Sequence, residues 1–236
     1  MDDKAILDDL VAKIKIRLPD FEIRYKDEDT LQKLIGKALF FNSAYMTRYT
    51  TTMFGKVYFT SRKWVEDNPR SAWKVLAHEY VHLLDDKDEG LKFSLSYLAP
   101  QIYAAGALLA FGAFWSLWFL LALGFLGFLA PWGSKGRTKW EMRGYTMSMA
   151  VNYWRYGSVA DWQKLNIVEN FTGPNYYYMC RDRAAMDSKV HVAELLIMKG
   201  EAAKKTHPLV VQDMLSVLRA HDALHAGVRT GEDNVA

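Results

Sequence analysis

Apolar residues recur at helical spacing near the start of the chain, at Ile6, Leu7, Leu10, Val11, Ile14 and Leu18. They predict an amphipathic helix over residues 4–18. Residues 21–25 read as a short strand, and Leu31, Leu34, Ile35 and Ala38 place a second helix over 30–41. Residues 45–60 are rich in Thr, Tyr, Val and Phe and are broken by Gly55, a pattern for a hairpin or a bulged strand. Asn68-Pro69 is a helix start, with proline at the first helical position. The helix should run through Trp73, Leu76, His78 and His82 to about Leu84. A further helix opens at Thr138 and continues through Tyr153. The rest, to Ala226, reads as helical with a break at Gly173-Pro174-Asn175. The expected class is α+β, with a small antiparallel sheet and a helical C-terminal region.

Between the two polar flanks the pattern changes. Residues 93–134 form 42 consecutive positions without a charge, mostly Leu, Phe, Ala, Gly and Trp. About 20 apolar residues span a bilayer core, so this run is long for one crossing and slightly short for two. Pro100 and Pro131 lie near its ends and residues 112–116 near its middle, where a helical hairpin would turn. Trp115 and Trp118 would then sit at the tip and Trp132 at the base, positions where amphipathic rings favour an interface. Burial of the hairpin inside an oligomer is the alternative. Three parts follow: residues 1–92, the hairpin 93–134, and a helical part, 135–236, that completes the first.

Charge and cysteine content narrow the class. The 236 residues carry 30 basic and 27 acidic side chains, a net charge of +3, which gives no argument for nucleic acid. The single cysteine, Cys180, excludes an intramolecular disulfide framework and suits a reducing compartment; it reads as an inert core thiol. The opening Met1-Asp2-Asp3-Lys4 does not resemble a cleavable signal peptide. Lys87, Lys92, Lys135, Arg137, Lys139 and Arg143 flank the base of the hairpin. By the positive-inside tendency they place the polar domain on the cytoplasmic side of a membrane, where they would meet anionic headgroups.

The sharpest local signal is His78-Glu79-Tyr80-Val81-His82. Histidines four apart share a helical face, so both imidazoles can reach one metal ion, and Glu79 stands beside that ion as a base for its water. A second pair, His221 and His225, repeats the spacing around a shorter Asp222, with no evident third ligand. Tyr176, Tyr177 and Tyr178 are a candidate phenol cluster, more simply read as packing.

His78-Glu79-Tyr80-Val81-His82, following the strand-like residues 51–59, resembles the catalytic half of a zincin metallopeptidase. The resemblance implies a zincin-like domain in which a sheet edge holds extended substrate and the next helix carries Zn2+ ligands. A catalytic zinc usually has three protein ligands. Glu141, in Trp140-Glu141-Met142-Arg143-Gly144-Tyr145, resembles the second-helix glutamate of gluzincins, with Gly144 at the small-residue position. Its competing reading is the capping box Thr138-x-x-Glu141. Asp88 stands where metzincins carry a third ligand, but Asp85 replaces their turn glycine. Tyr145 is the candidate for oxyanion stabilisation. If His78 and Glu141 share one ion, the apolar segment between them must return to the side it left. That order of elements is similar to membrane-integrated gluzincins.

The expectation is therefore a membrane-associated zinc metallopeptidase acting on a peptide or protein. His78, His82 and Glu141 would be its ligands, and Glu79 and Tyr145 its catalytic residues. The alternative is a membrane-inserting structural or delivery protein that keeps a zincin fold.

Overall fold

Helix α1 (Asp3–Arg17) starts where Asp2 accepts the backbone N–H groups of Lys4 and Ala5, and it turns Ile6, Leu7, Leu10 and Ile14 inward. In the computed structural model, residues 2–38, 44–130, 132–174 and 178–230 are described. Strand β1 (Glu22–Tyr25) leads to α2 (Thr30–Ala38) and a one-turn helix α3 (Ala44–Thr47). Then come β2 (Thr51–Met53) and β3 (Lys56–Phe59), joined at Phe54-Gly55, both with positive φ. The end of the helix expected over 30–41 lies outside the described residues.

The three strands pair in the order β1–β3–β2. β2 runs antiparallel to β3, with Thr52 opposite Val57, but β1 runs parallel to β3, with Ile23 opposite Val57. The sheet is therefore mixed, not the antiparallel one expected. The α2–α3 connection enters β2 at the end where β1 finishes, and β2 itself carries the chain back to the end from which β1 started, so that β3 runs parallel to β1.

After α4 (Arg62–Asp67), Pro69 opens the long helix α5 (Pro69–Glu89). It extends beyond the expected end near Leu84 to a positive-φ Gly90. Helix α6 (Leu91–Leu98) follows. After the hairpin come α7 (Lys135–Tyr156), α8 (Asp161–Thr172), α9 (Arg183–Met198) and α10 (Pro208–Ala220). α7 begins at Lys135, not Thr138. Ser134 is its cap, accepting from Arg137 N, while the Thr138 hydroxyl donates to the carbonyls of Ser134 and Met179. The capping box is thus absent and Glu141 lies well inside the helix. The core unites α1, the sheet, α5, α7, α9 and α10, with Trp73, Leu76, Met147 and Trp154 at its centre.

The apolar segment folds back on itself, but not as a pair of α-helices. Its arms, Gln101–Phe114 and Leu117–Leu129, are 3₁₀ helices that turn at Trp115 and Ser116. Their packing explains two of the glycines: a Cβ at Gly106 would lie 2.6 Å from the Phe125 ring, and one at Gly112 would lie 2.6 Å from Phe119. Neither arm has a buried residue. Phe114, Trp115, Leu117 and Trp118 at the turn are each more than three-quarters exposed. No single helix among the described residues is long and apolar enough to cross a membrane. The pair α6 and the first arm meets that test together, with an 85° bend between them. Pro131 lies outside the described residues. At the coarse level the class is α+β, as expected.

Candidate metal centre

Helices α5 and α7 cross in contact, and their close approach assembles the site. His78 and His82 lie one turn apart on α5, with their Nε2 atoms 3.1 Å from each other. Glu141 of α7, 3 % exposed, brings Oε2 to 3.5 Å from His78 Nε2 and 3.9 Å from His82 Nε2. A tetrahedral ion with ligands at 2.0–2.1 Å would hold donor atoms roughly 3.3 Å apart, close to what these three atoms show. Glu141 Oε2 is buried without a hydrogen-bond donor. A buried carboxylate oxygen left so is costly, and a cation at this point would satisfy it together with both imidazole lone pairs. These three residues form a group able to hold a metal ion. Two nitrogens and a carboxylate oxygen suit zinc.

Neighbouring side chains fix the orientation of the three. His78 Nδ1 lies 3.2 Å from Ser148 Oγ, whose own proton goes to the Gly144 carbonyl. Ser148 therefore accepts from His78 Nδ1–H, leaving Nε2 bare on the side facing Glu141. Gly144 is what lets the helices meet here, because a Cβ would lie 2.5 Å from His78 Nε2. The second oxygen of Glu141 accepts a hydrogen bond from Tyr97 of α6. Phe93 and Trp140 close the wall beyond His82.

Burial by itself would raise the Glu141 carboxyl, but the two neighbouring imidazoles and the Tyr97 hydroxyl take it down to about 2. Burial likewise opposes charge on both histidines. At His78 the two nearby carboxylates outweigh it and the imidazole goes up; at His82 burial prevails and the imidazole goes down.

Glu79, one residue along α5 from His78, accepts the Thr52 hydroxyl at its Oε2 at 2.6 Å. Thr52 belongs to β2, the edge strand next to this helix. Lys26 is fully buried nearby, donating from Nζ to the Tyr45 carbonyl at 2.8 Å. Burial lowers its ammonium to about 8, and the Glu79 charge resists that fall. A cavity of about 400 Å³ opens over His78 and Glu79, with Tyr145, Ser148 and Asn170 on its α7–α8 side. The Tyr145 ring packs edge-on to His78, with centroids 4.9 Å apart, and its hydroxyl accepts from Asn170 Nδ2 at 3.0 Å.

The remaining candidates separate from this centre. Asp88 pairs with His207 at 3.1 Å, because α5 continues through it without the turn a third ligand there would need. Asp85 is buried and paired with Arg143 at 2.7 Å. His221 is the last cap of α10, so His225 lies beyond the helix and the two do not share a helical face. Tyr178 is exposed; Tyr176 and Tyr177 lie outside the described residues. Cys180 is half-buried. Part of the basic flank is already engaged: Lys92 with Glu89, Lys87 with the Arg17 carbonyl, and Arg137 with the Tyr97 carbonyl.

Tyr97, Ser148, Thr52 and Lys26 were not singled out from the sequence. A signal existed for Ser148: Glu141, Tyr145, Ser148 and Asn152 form a polar stripe at helical spacing along α7. Tyr97 carries none, being one aromatic in an uncharged run. No known protein family, curated protein or solved structure matches the chain.

Proposed function

We propose that the protein is a zinc-dependent metallopeptidase of gluzincin type, attached to a membrane by its apolar hairpin. The observation that carries this reading is the convergence of His78, His82 and Glu141 ligand atoms from two helices, with a carboxylate, Glu79, one residue along from His78. When bound, zinc supplies a water acidified to near neutral pH and a Lewis acid for the scissile carbonyl. Glu79 takes the proton of the attacking water and returns it to the leaving amine. Thr52 orients the Glu79 carboxylate from the strand. Tyr145, held by Asn170, donates to the oxyanion as charge develops there. The outer edge of β2, which has no second neighbour among the described strands, receives the substrate in extended form by main-chain hydrogen bonds.

The test combines metal content with turnover. About one zinc per chain is expected in the wild type. Glu141→Ala should lose it, and Asp88→Ala should keep it. Glu79→Gln should retain zinc while losing peptide hydrolysis by about 10³-fold or more. A folded wild type that binds no zinc would overturn the reading. The second reading, membrane insertion as the protein's working role, is favoured by the bare aromatic turn of the hairpin. It predicts that Leu121→Arg abolishes function and that Glu79→Gln does not.

A further inference from the structure

A second cavity, of about 990 Å³, opens at the base of the hairpin between α7, the segment around Met179 and α9. Its floor is apolar, with Met142, Met179 and Ala193, whereas seven cationic side chains and one carboxylate, Asp182, line it. The Asp182 carboxylate is already used as the cap of α9. Arg143 and Lys204 are balanced by Asp85 and Glu201. Lys135, Lys189 and Lys205 line the cavity and make no ion pair among the described residues. The site thus offers unneutralised positive charge above an apolar floor, which matches an anionic amphiphile better than a free polar anion.

Its position selects the source of that amphiphile. Gly133 and Ser134, which follow directly on the second arm of the hairpin, form part of the lining. Ser134 N donates to the Met179 carbonyl at 2.9 Å, and Thr138 Oγ1 donates to the same carbonyl at 3.1 Å. These bonds fix the cavity against the hairpin base. If the arms enter a bilayer, the cavity stands at headgroup level.

We propose that this cavity binds the phosphate and the first part of an acyl chain of an anionic phospholipid drawn from the leaflet the hairpin enters. The proposal rests on the membrane reading of the hairpin, which the neutral-vesicle arm of the experiment tests separately. The lysines hold the phosphate, and the apolar floor takes the chain. Bound lipid therefore orients the polar body on the membrane.

The experiment is flotation of the intact protein with phosphatidylcholine vesicles, alone or with about one-fifth phosphatidylglycerol. Wild type should float with both and bind the anionic vesicles roughly tenfold more tightly or better. Lys189→Gln with Lys205→Gln should remove most of that gain and leave neutral-vesicle binding unchanged. Val192→Trp fills the cavity without altering charge and should also reduce the gain. Zinc content, unchanged in each variant, shows that the body is folded. Equal binding of wild type to both vesicles would overturn the proposal. Loss of the gain in the lysine variant but not in Val192→Trp would assign it to diffuse surface charge and overturn the cavity. Full displacement by millimolar inorganic phosphate would make this a free-phosphate site instead. Failure to float with either vesicle would remove the hairpin reading and this proposal together, leaving the zinc measurement to stand by itself.

Discussion

Gly144 has no side chain to contribute, yet the convergence of His78, His82 and Glu141 depends on it. The α5–α7 crossing places its Cα where a single methyl would lie 2.5–2.8 Å from three atoms of the His78 ring. Neither partner can yield easily, since both helices are packed into the core on their other faces. Gly144→Ala should therefore displace the imidazole and weaken zinc binding by about 100-fold, the upper end of what disturbing a ligand's support costs. Ser148→Ala leaves the backbone alone and removes only the acceptor for His78 Nδ1–H. A loss of about 10-fold in affinity is expected there. Competition with a chelator of known affinity would measure both. If Gly144→Ala binds zinc as tightly as wild type, His78 is not a ligand. At this scale the sequence was informative where chemistry is concentrated in a short motif, as at His78, Glu79 and His82. It was silent on Tyr97 and Lys26, whose roles arise from burial beside charged neighbours and not from local spacing.

Between elements, one carboxylate ties the N-terminal helix to the two helices that carry the candidate metal ligands. Asp3 accepts from Arg70 Nε at 2.9 Å, Trp73 Nε1 at 3.1 Å and the Arg155 guanidinium at 2.9 Å. Burial would raise its pKa, but the hydrogen bonds from Arg70 and Trp73 and the charges of Arg155 and Arg70 bring it below the usual value. A carboxylate depressed on folding adds stability that is complete above its unfolded pKa, roughly pH 4, and is lost as pH falls through the folded value. Asp3→Asn should destabilise the protein by about 2 kcal/mol at neutral pH, since it removes the charge opposite the buried Arg155 and turns an amide donor toward a guanidinium. The difference between variant and wild type should shrink below about pH 4. Denaturant melts at neutral and acid pH would show it, and a difference independent of pH would exclude the ionic contribution. Elements whose signal is periodic, α1, α5 and α7, were legible in the chain. The parallel ladder of β1 on β3 was not, because nothing in either strand records that β3, returning from β2, inserts between the two. The start of α7 was also missed. Ser134 closes the uncharged run and reads as its last residue, not as a cap.

At the scale of the whole molecule, the hairpin and the His78, His82 and Glu141 cluster are separable parts. The base of the hairpin is closed by bonds that do not involve its arms. Ser134 Oγ donates to the Ala99 carbonyl at 2.6 Å, Arg137 Nε to the Tyr97 carbonyl at 3.1 Å, and Trp140 Nε1 to Ser96 Oγ at 2.8 Å. The two ends are therefore already adjacent, and a short flexible linker can join them at small entropic cost. The arms bury none of their residues in the body and carry an apolar surface far larger than a monomer usually exposes to water. Replacing residues 101–130 by a short Gly/Ser linker should leave zinc content and the hydrolysis of a soluble peptide within about twofold of wild type. Vesicle flotation should be abolished. Leu121→Arg should weaken flotation alone, since a charge at the centre of an inserted segment costs about 3 kcal/mol. If the excised protein keeps zinc but no longer cleaves a soluble peptide, the hairpin takes part in presenting substrate and the two parts form one machine. If it cleaves as well as wild type, the arms act only to choose where the enzyme works, because Tyr97 of α6 and Glu141 of α7 meet without them.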